Sequence, residues 1–185
     1  MSKIRQLLQN YSSYISLPWR EDTASAQRVI FCIYNESQEL MLRAKTDEFE
    51  LATRGAGHDW ALYDLTNSFA QWLTEQPYAE KFLERPKFLF SILPRYRTFL
   101  ATSFKAACGD KAADPNCVVA LTGTGTLFGF LRIRDLVSDL APIVQGRLLV
   151  FFPGSYENNN YRLLNGYDGW NYLAVPITAD SDMRG

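Results

Sequence analysis

Four places in this sequence hold residue types that chemistry could use. The first is Gly123-Thr-Gly-Thr-Leu-Phe-Gly129, which follows an apolar run and precedes a helical pattern. Backbone N–H groups at a helix N-terminus attract phosphate, so this context suits an anion site. The spacing does not: GxGxxxG is not the dinucleotide fingerprint, and no GKS or GKT of a Walker A loop occurs in the chain. The glycines serve equally well as a tight strand-to-helix turn. The second place is His58, after Gly55-Ala-Gly57. A catalytic imidazole needs a positioned partner, and no GxSxG nucleophile motif is present. A lone histidine without a nearby cysteine is also a poor metal site. It reads as exposed, or as stabilised by a helix C-terminus. The third is Asp64, at the end of Trp60-Ala-Leu-Tyr-Asp64. Such an aspartate can act as a base or Mg²⁺ ligand in phosphoryl transfer, or cap the next helix. The fourth is Tyr156-Glu-Asn-Asn-Asn-Tyr161, where Asn158, Asn159 and Asn160 stand between tyrosines. Asn and Tyr suit both an ordered hydrogen-bonded loop and a recognition surface.

The elements that must position these residues follow from periodicity. Residues 3–15 carry Ile4, Leu7, Leu8, Tyr11 and Ile15, the spacing of an amphipathic helix that Pro18 stops. Residues 28–34, 117–121 and 147–152 are short apolar runs rich in β-branched and aromatic residues, and they read as buried strands, while residues 60–65 read as a further strand. Pro153-Gly154 stops the last of these, and residues 170–176 predict a further strand. Asn35 caps a helix running to about Thr53, with Gln38 completing a capping box. Thr66 or Asn67 caps another through about Phe82. Helical spacing returns over residues 96–107, closed by Gly109, with a polar loop over 110–116. It returns again at Ile133, Leu136, Val137 and Leu140. Strand and helix alternate, which predicts an α/β fold with a mostly parallel central sheet of about five strands and helices on both faces. In such sheets ligands bind beyond the carboxyl ends of the strands. That rim is taken as Asn35, Asp64, Thr66, Gly123, Thr124, Gly125, Arg132, Tyr156, Glu157, Asn158, Asn159, Asn160 and Tyr161. No catalytic, cofactor-binding or metal-ligating residue is assigned.

A chain of 185 residues with 47% hydrophobic and 21% charged residues can build one proper core. Residues 1–178 read as one domain and 179–185 as a polar, flexible tail. The net charge of −1 argues against a dedicated nucleic-acid binder. A local basic stretch, Arg85, Lys87, Arg95, Arg97 and Lys105, is a solvated helix face or a weak DNA contact. Cys32, Cys108 and Cys117 lack CxxC spacing and read as buried thiols of a reducing compartment. Neither a signal peptide nor a membrane span is expected. The abundant aromatics, including Tyr167 and Trp170, are the residue types that anchor interfaces.

The C-terminal half resembles the BrxB family of BREX phage-exclusion systems. The resemblance rests on residues 123–132, Asp135-Leu136, Arg147-Leu-Leu-Val-Phe-Phe-Pro-Gly154, Asn160-Tyr-Arg-Leu-Leu164 and Asp168-Gly-Trp-Asn-Tyr-Leu-Ala-Val-Pro-Ile177. Leu17-Pro-Trp19, residues 48–54 and residues 57–65 extend it over nearly the whole chain. The resemblance implies a component of a bacterial multi-gene defence that methylates host DNA and blocks phage replication. It implies no assigned enzymatic activity, no cofactor, and action beside other BREX proteins, notably the alkaline-phosphatase-like PglZ. It also implies a fold similar to P-loop ATPase cores lacking a working Walker A. The resulting expectation is a cytoplasmic, non-catalytic adaptor touching DNA only indirectly or weakly. A degenerate nucleotide-binding module or a DNA-contacting subunit is the alternative.

Overall fold

The computed structural model describes residues 2–170 and 173–181. Helix α1, Lys3–Ile15, starts at Ser2, whose hydroxyl accepts from the Arg5 N–H, and it buries Ile4, Leu7, Tyr11 and Ile15 on one stripe. Strand β1, Val29–Tyr34, is buried throughout. Asn35 then caps a short 3-10 turn, Glu36–Gln38, by accepting from the Ser37 N–H at 3.0 Å. The single helix expected to follow is split into α2, Glu39–Arg43, and α3, Thr46–Gly55. At the break the Thr46 hydroxyl bonds back to the Leu42 carbonyl, a contact that bends helices.

Strand β2 is Asp59–Asp64, and the next expected helix is also two: α4, Ser68–Thr74, and α5, Ala79–Glu84. Pro77 has no N–H to continue α4, and Tyr78 is left-handed at φ 69°. Helix α6, Leu93–Ala112, is longer than its pattern predicts in both directions. Pro94 sits in its first turn, where a missing N–H costs nothing, and Gly109 is carried inside the helix rather than ending it. Strand β3, Cys117–Thr122, helix α7, Ile133–Leu140, and strand β4, Arg147–Glu157, follow. The chain then forms β5, Asn160–Leu163, β6, Gly166–Trp170, and β7, Val175–Ile177. The single strand expected over 170–176 therefore corresponds to the end of β6 and the start of β7, and residues 171–172 lie outside the described residues.

The sheet runs β2-β3-β4-β1-β7 with every neighbour along this path parallel, as the alternation of strand and helix predicts. Pro153-Gly154 does not end β4. Its first half pairs with β1 and β3, and its second half pairs antiparallel with β5, which in turn pairs with β6. Side chains alternate between faces. Val29, Phe31, Leu148, Val150 and Phe152 pack against α6 and α7. Ile30, Cys32, Leu149 and Phe151 pack against α1 and against Phe49 of α3. Each such side chain contributes about 1.5–3 kcal/mol. All three cysteines are buried free thiols, and burial pushes Cys117 up to about 11. Asn10 of α1 donates to the carbonyls of Thr178 and Ala179, tying the segment after β7 to the N-terminal helix.

Candidate functional site

Because the five strands are parallel, their carboxyl ends share one rim, with Asn35, Asp64, Gly123 and Pro153 at four strand ends. A cleft of about 200 Å³ lies there, lined by Glu39, Arg43, Gly123, Gly125, Thr126 and Pro153 among others. Polar groups along its edge are engaged with one another. Asp64 Oδ1 accepts from the Thr66 N–H at 2.9 Å and from its hydroxyl at 2.5 Å. Arg43 donates to Thr66 Oγ1 at 2.9 Å and to Glu39 at 2.8 Å, and the Tyr34 hydroxyl donates to Glu39. Burial pushes the Asp64 carboxyl up, but the two bonds from Thr66 and the Arg43 charge outweigh it, so it sits below the usual range. Burial raises the Tyr34 phenol, and the Glu39 carboxylate raises it further.

The glycine loop is closed upon the same network. Gly123 has φ 70°, and a Cβ there would lie 2.6 Å from the Thr66 nitrogen and hydroxyl. Only glycine satisfies both the left-handed backbone and that approach. Thr124 turns inward and donates to the Phe151 carbonyl at 2.5 Å, while Thr126 donates to the Gly123 carbonyl at 2.7 Å. The loop does not run into a helix, as the sequence pattern predicts. It forms a 3-10 turn, Thr124–Leu127, and α7 begins only at Ile133. The N-terminus of α7 is held by Asp168 of β6, which is 3% exposed. Its carboxylate accepts from the Ile133 N–H at 2.8 Å and the Arg134 N–H at 3.1 Å. The helix end that attracts an anion thus holds one supplied by the chain itself.

The asparagine run is a two-residue hairpin turn between β4 and β5. Asn158 and Asn159 both have positive φ, 50° and 62°, as a type I′ turn demands. Tyr156 donates to Asn159 Oδ1 at 2.8 Å, and Asn160 donates to the Asn158 carbonyl. Tyr161 is core, with its ring 5.0 Å from Phe31 and 6.0 Å from Phe152. The residues grouped as one rim are therefore divided. Asn35, Tyr156 and Glu157 line a cleft of about 410 Å³, separate from the one at Gly123 and Gly125. Arg132 lines a third, of about 420 Å³.

That third cleft is an aromatic groove that the sequence pattern does not reveal. Phe90 before α6, Phe128 and Phe130 before α7, and Tyr167 on β6 converge on it. Phe90 is 64% exposed, Phe128 43% and Tyr167 55%. Phe69 stacks beneath on Phe130 at 4.1 Å. The only advance signal is the richness in aromatics, since periodicity does not say which distant segments meet.

The remaining candidates are structural in their contacts. His58 stacks on Trp19 at 3.7 Å, and its Nδ1 lies 2.7 Å from Asn116 Oδ1. Among the basic stretch, Arg97 is bound by both oxygens of Asp139. Among the described residues no group of three or more His, Cys, Asp or Glu is placed to hold a metal. No helix among them is long and apolar enough to cross a membrane. Asp59 opens β2 between Lys111 and Arg54, and with the Trp60 N–H these hold its carboxyl at about 2. A carboxyl lowered in the folded state adds stability above its ordinary 3.8, lost as pH falls through about 2. Asp59→Asn is expected to unfold at lower urea than the parent at pH 5, with the gap closing toward pH 2 in a series of urea titrations.

Among the described residues, fold and surface define a mostly parallel α/β domain that bonds its strand-end polar groups to one another and presents a separate aromatic groove. The chain belongs to the BrxB family: the family described as BREX protein BrxB matches residues 63–176, more than half of the 185. The protein is thus a component of BREX phage defence, and membership implies other BREX proteins as its partners. No curated protein and no solved structure matches the chain.

Proposed function

We propose that this protein is a non-catalytic adaptor of the BREX machinery, acting in the cytoplasm, and that it binds the alkaline-phosphatase-like component PglZ through the aromatic groove. The observation that carries the reading is the groove itself. Three aromatic side chains at 43–64% exposure line one cleft within the segment that defines the family. Exposed aromatics flanked by polar residues, here Arg132 and Asp135, are the composition of an interface centre. Such anchors carry most of the affinity of an interface, about 2 kcal/mol or more each.

Co-expression with the PglZ protein of the same defence cluster, followed by size-exclusion chromatography, tests this. Co-elution is the expected result, and separate elution overturns the reading. Phe90→Ala and Tyr167→Ala are each expected to weaken the complex about 30-fold, the equivalent of about 2 kcal/mol. Because both rings are exposed, thermal unfolding of the variants alone should stay within about 1 °C of the parent. Unchanged affinity in both variants would place the contact elsewhere.

A further inference from the structure

At the opposite end of the strands from the rim lies a positive charge without a counter-charge among the described residues. Arg147 opens β4 on the face that carries Leu149 and Phe151, so its side chain extends that core layer. It is only 7% exposed. Arg28 precedes β1, and the first register pair of the two strands is Val29 with Leu148. The two arginines therefore sit side by side at the amino ends of adjacent interior strands, with backbones about 5 Å apart. Among the described residues neither guanidinium meets a carboxylate. Arg147 donates to the Gly146 carbonyl and lies 4.5 Å over the Trp19 ring, and Arg28 Nε and Trp19 Nε1 are closed from solvent with no acceptor. Burial, and then the Arg28 charge, pull the Arg147 guanidinium below its ordinary value, with Tyr14 acting the other way. The Trp19 ring eases a cation, but it offers a quadrupole rather than a counter-charge.

We propose that Arg28 and Arg147 form a binding site for a phosphate-type oxyanion, either the free anion or the phosphate of a nucleotide. Adjacent guanidinium forks match a tetrahedral, doubly charged oxyanion, which can accept from both. Binding neutralises charge that the fold otherwise buries unpaired. The site uses none of the groove residues and stands apart from the adaptor reading.

Inorganic phosphate is titrated at millimolar concentration against matched NaCl, read by ³¹P line broadening and by thermal unfolding. The expected result is saturable broadening with a rise of about 3–6 °C at ten times the Kd. Arg28→Gln is expected to weaken phosphate binding at least tenfold. Arg147→Met should abolish the response while melting no lower than the parent in chloride, since a buried unpaired charge has gone. A parallel titration with ADP separates the sources: tighter binding than phosphate assigns a nucleotide, equal or weaker binding assigns the free anion. No saturable response in the parent, or the same response in both variants, overturns the site.

Discussion

Gly154→Ala is expected to destabilise the protein by about 3 kcal/mol or more, the upper range for forced overpacking. Gly154 stands where β4 leaves its parallel partners and turns to pair with β5. A Cβ at this position would lie 1.8 Å from the Arg162 carbonyl oxygen, and 3.1 Å from the Leu164 nitrogen. Both obstacles are backbone, so no rotamer change relieves the clash. β5 must move away, and it carries Tyr161 and Leu163 into the core and pairs with β6. Because β6 holds Tyr167 and Asp168, the groove and the start of α7 are disturbed with it. Urea unfolding should show a lower midpoint at unchanged slope. A parent-like midpoint would mean that the hairpin is not fixed to the sheet as described.

Asp168→Ala is expected to cost about 2–3 kcal/mol, the range for charge-assisted hydrogen bonds to a buried carboxylate. The substitution leaves the Ile133 N–H without its acceptor in a buried setting. It also removes a negative charge from the helix end that favours one. Asp168→Asn keeps an acceptor and loses the charge, so it should recover part of the loss. The checks are urea midpoints for the three proteins and amide exchange at residues 133–136, where protection should fall first. Equal stability of parent and alanine variant would show that α7 starts without this cap. Asp168 also lines the groove, so the PglZ contact proposed above predicts weaker binding by the alanine variant than its stability alone accounts for.

The strands and the parallel class were legible because fully buried strands demand continuous apolar runs. Residues 29–34 and 117–121 are such runs and are buried at every position, whereas β2, at one end of the strand order, is only partly buried. Helices α1 and α7 were legible for a similar reason, since each buries a single stripe. Breaks and extents were less so. The split at Thr46 depends on one back-bonding hydroxyl, and α6 runs through Gly109 because packing of Tyr96, Leu100, Phe104 and Cys108 outweighs one poor helix former. The passage of β4 through Pro153-Gly154 could not be read locally, since it depends on β5 arriving alongside.

The candidate site divides in the same way. That Gly123 is a glycine with a reason, and that Asp64 and Thr66 stand at a strand end, follows from the residues and their order. That these close on one another through Arg43, and that Thr124 faces the core, does not. That Asp168 caps α7 does not follow from its neighbours, because Ile133 lies 35 positions away in the chain. By itself the sequence determined which segments must be buried and what hydrogen-bonding period each can satisfy, because those are properties of neighbours along the chain. Tertiary structure alone decided which charges find partners among the described residues, which arginines do not, and which aromatics from three separate segments meet in one groove. Those outcomes depend on through-space distances that chain order does not constrain.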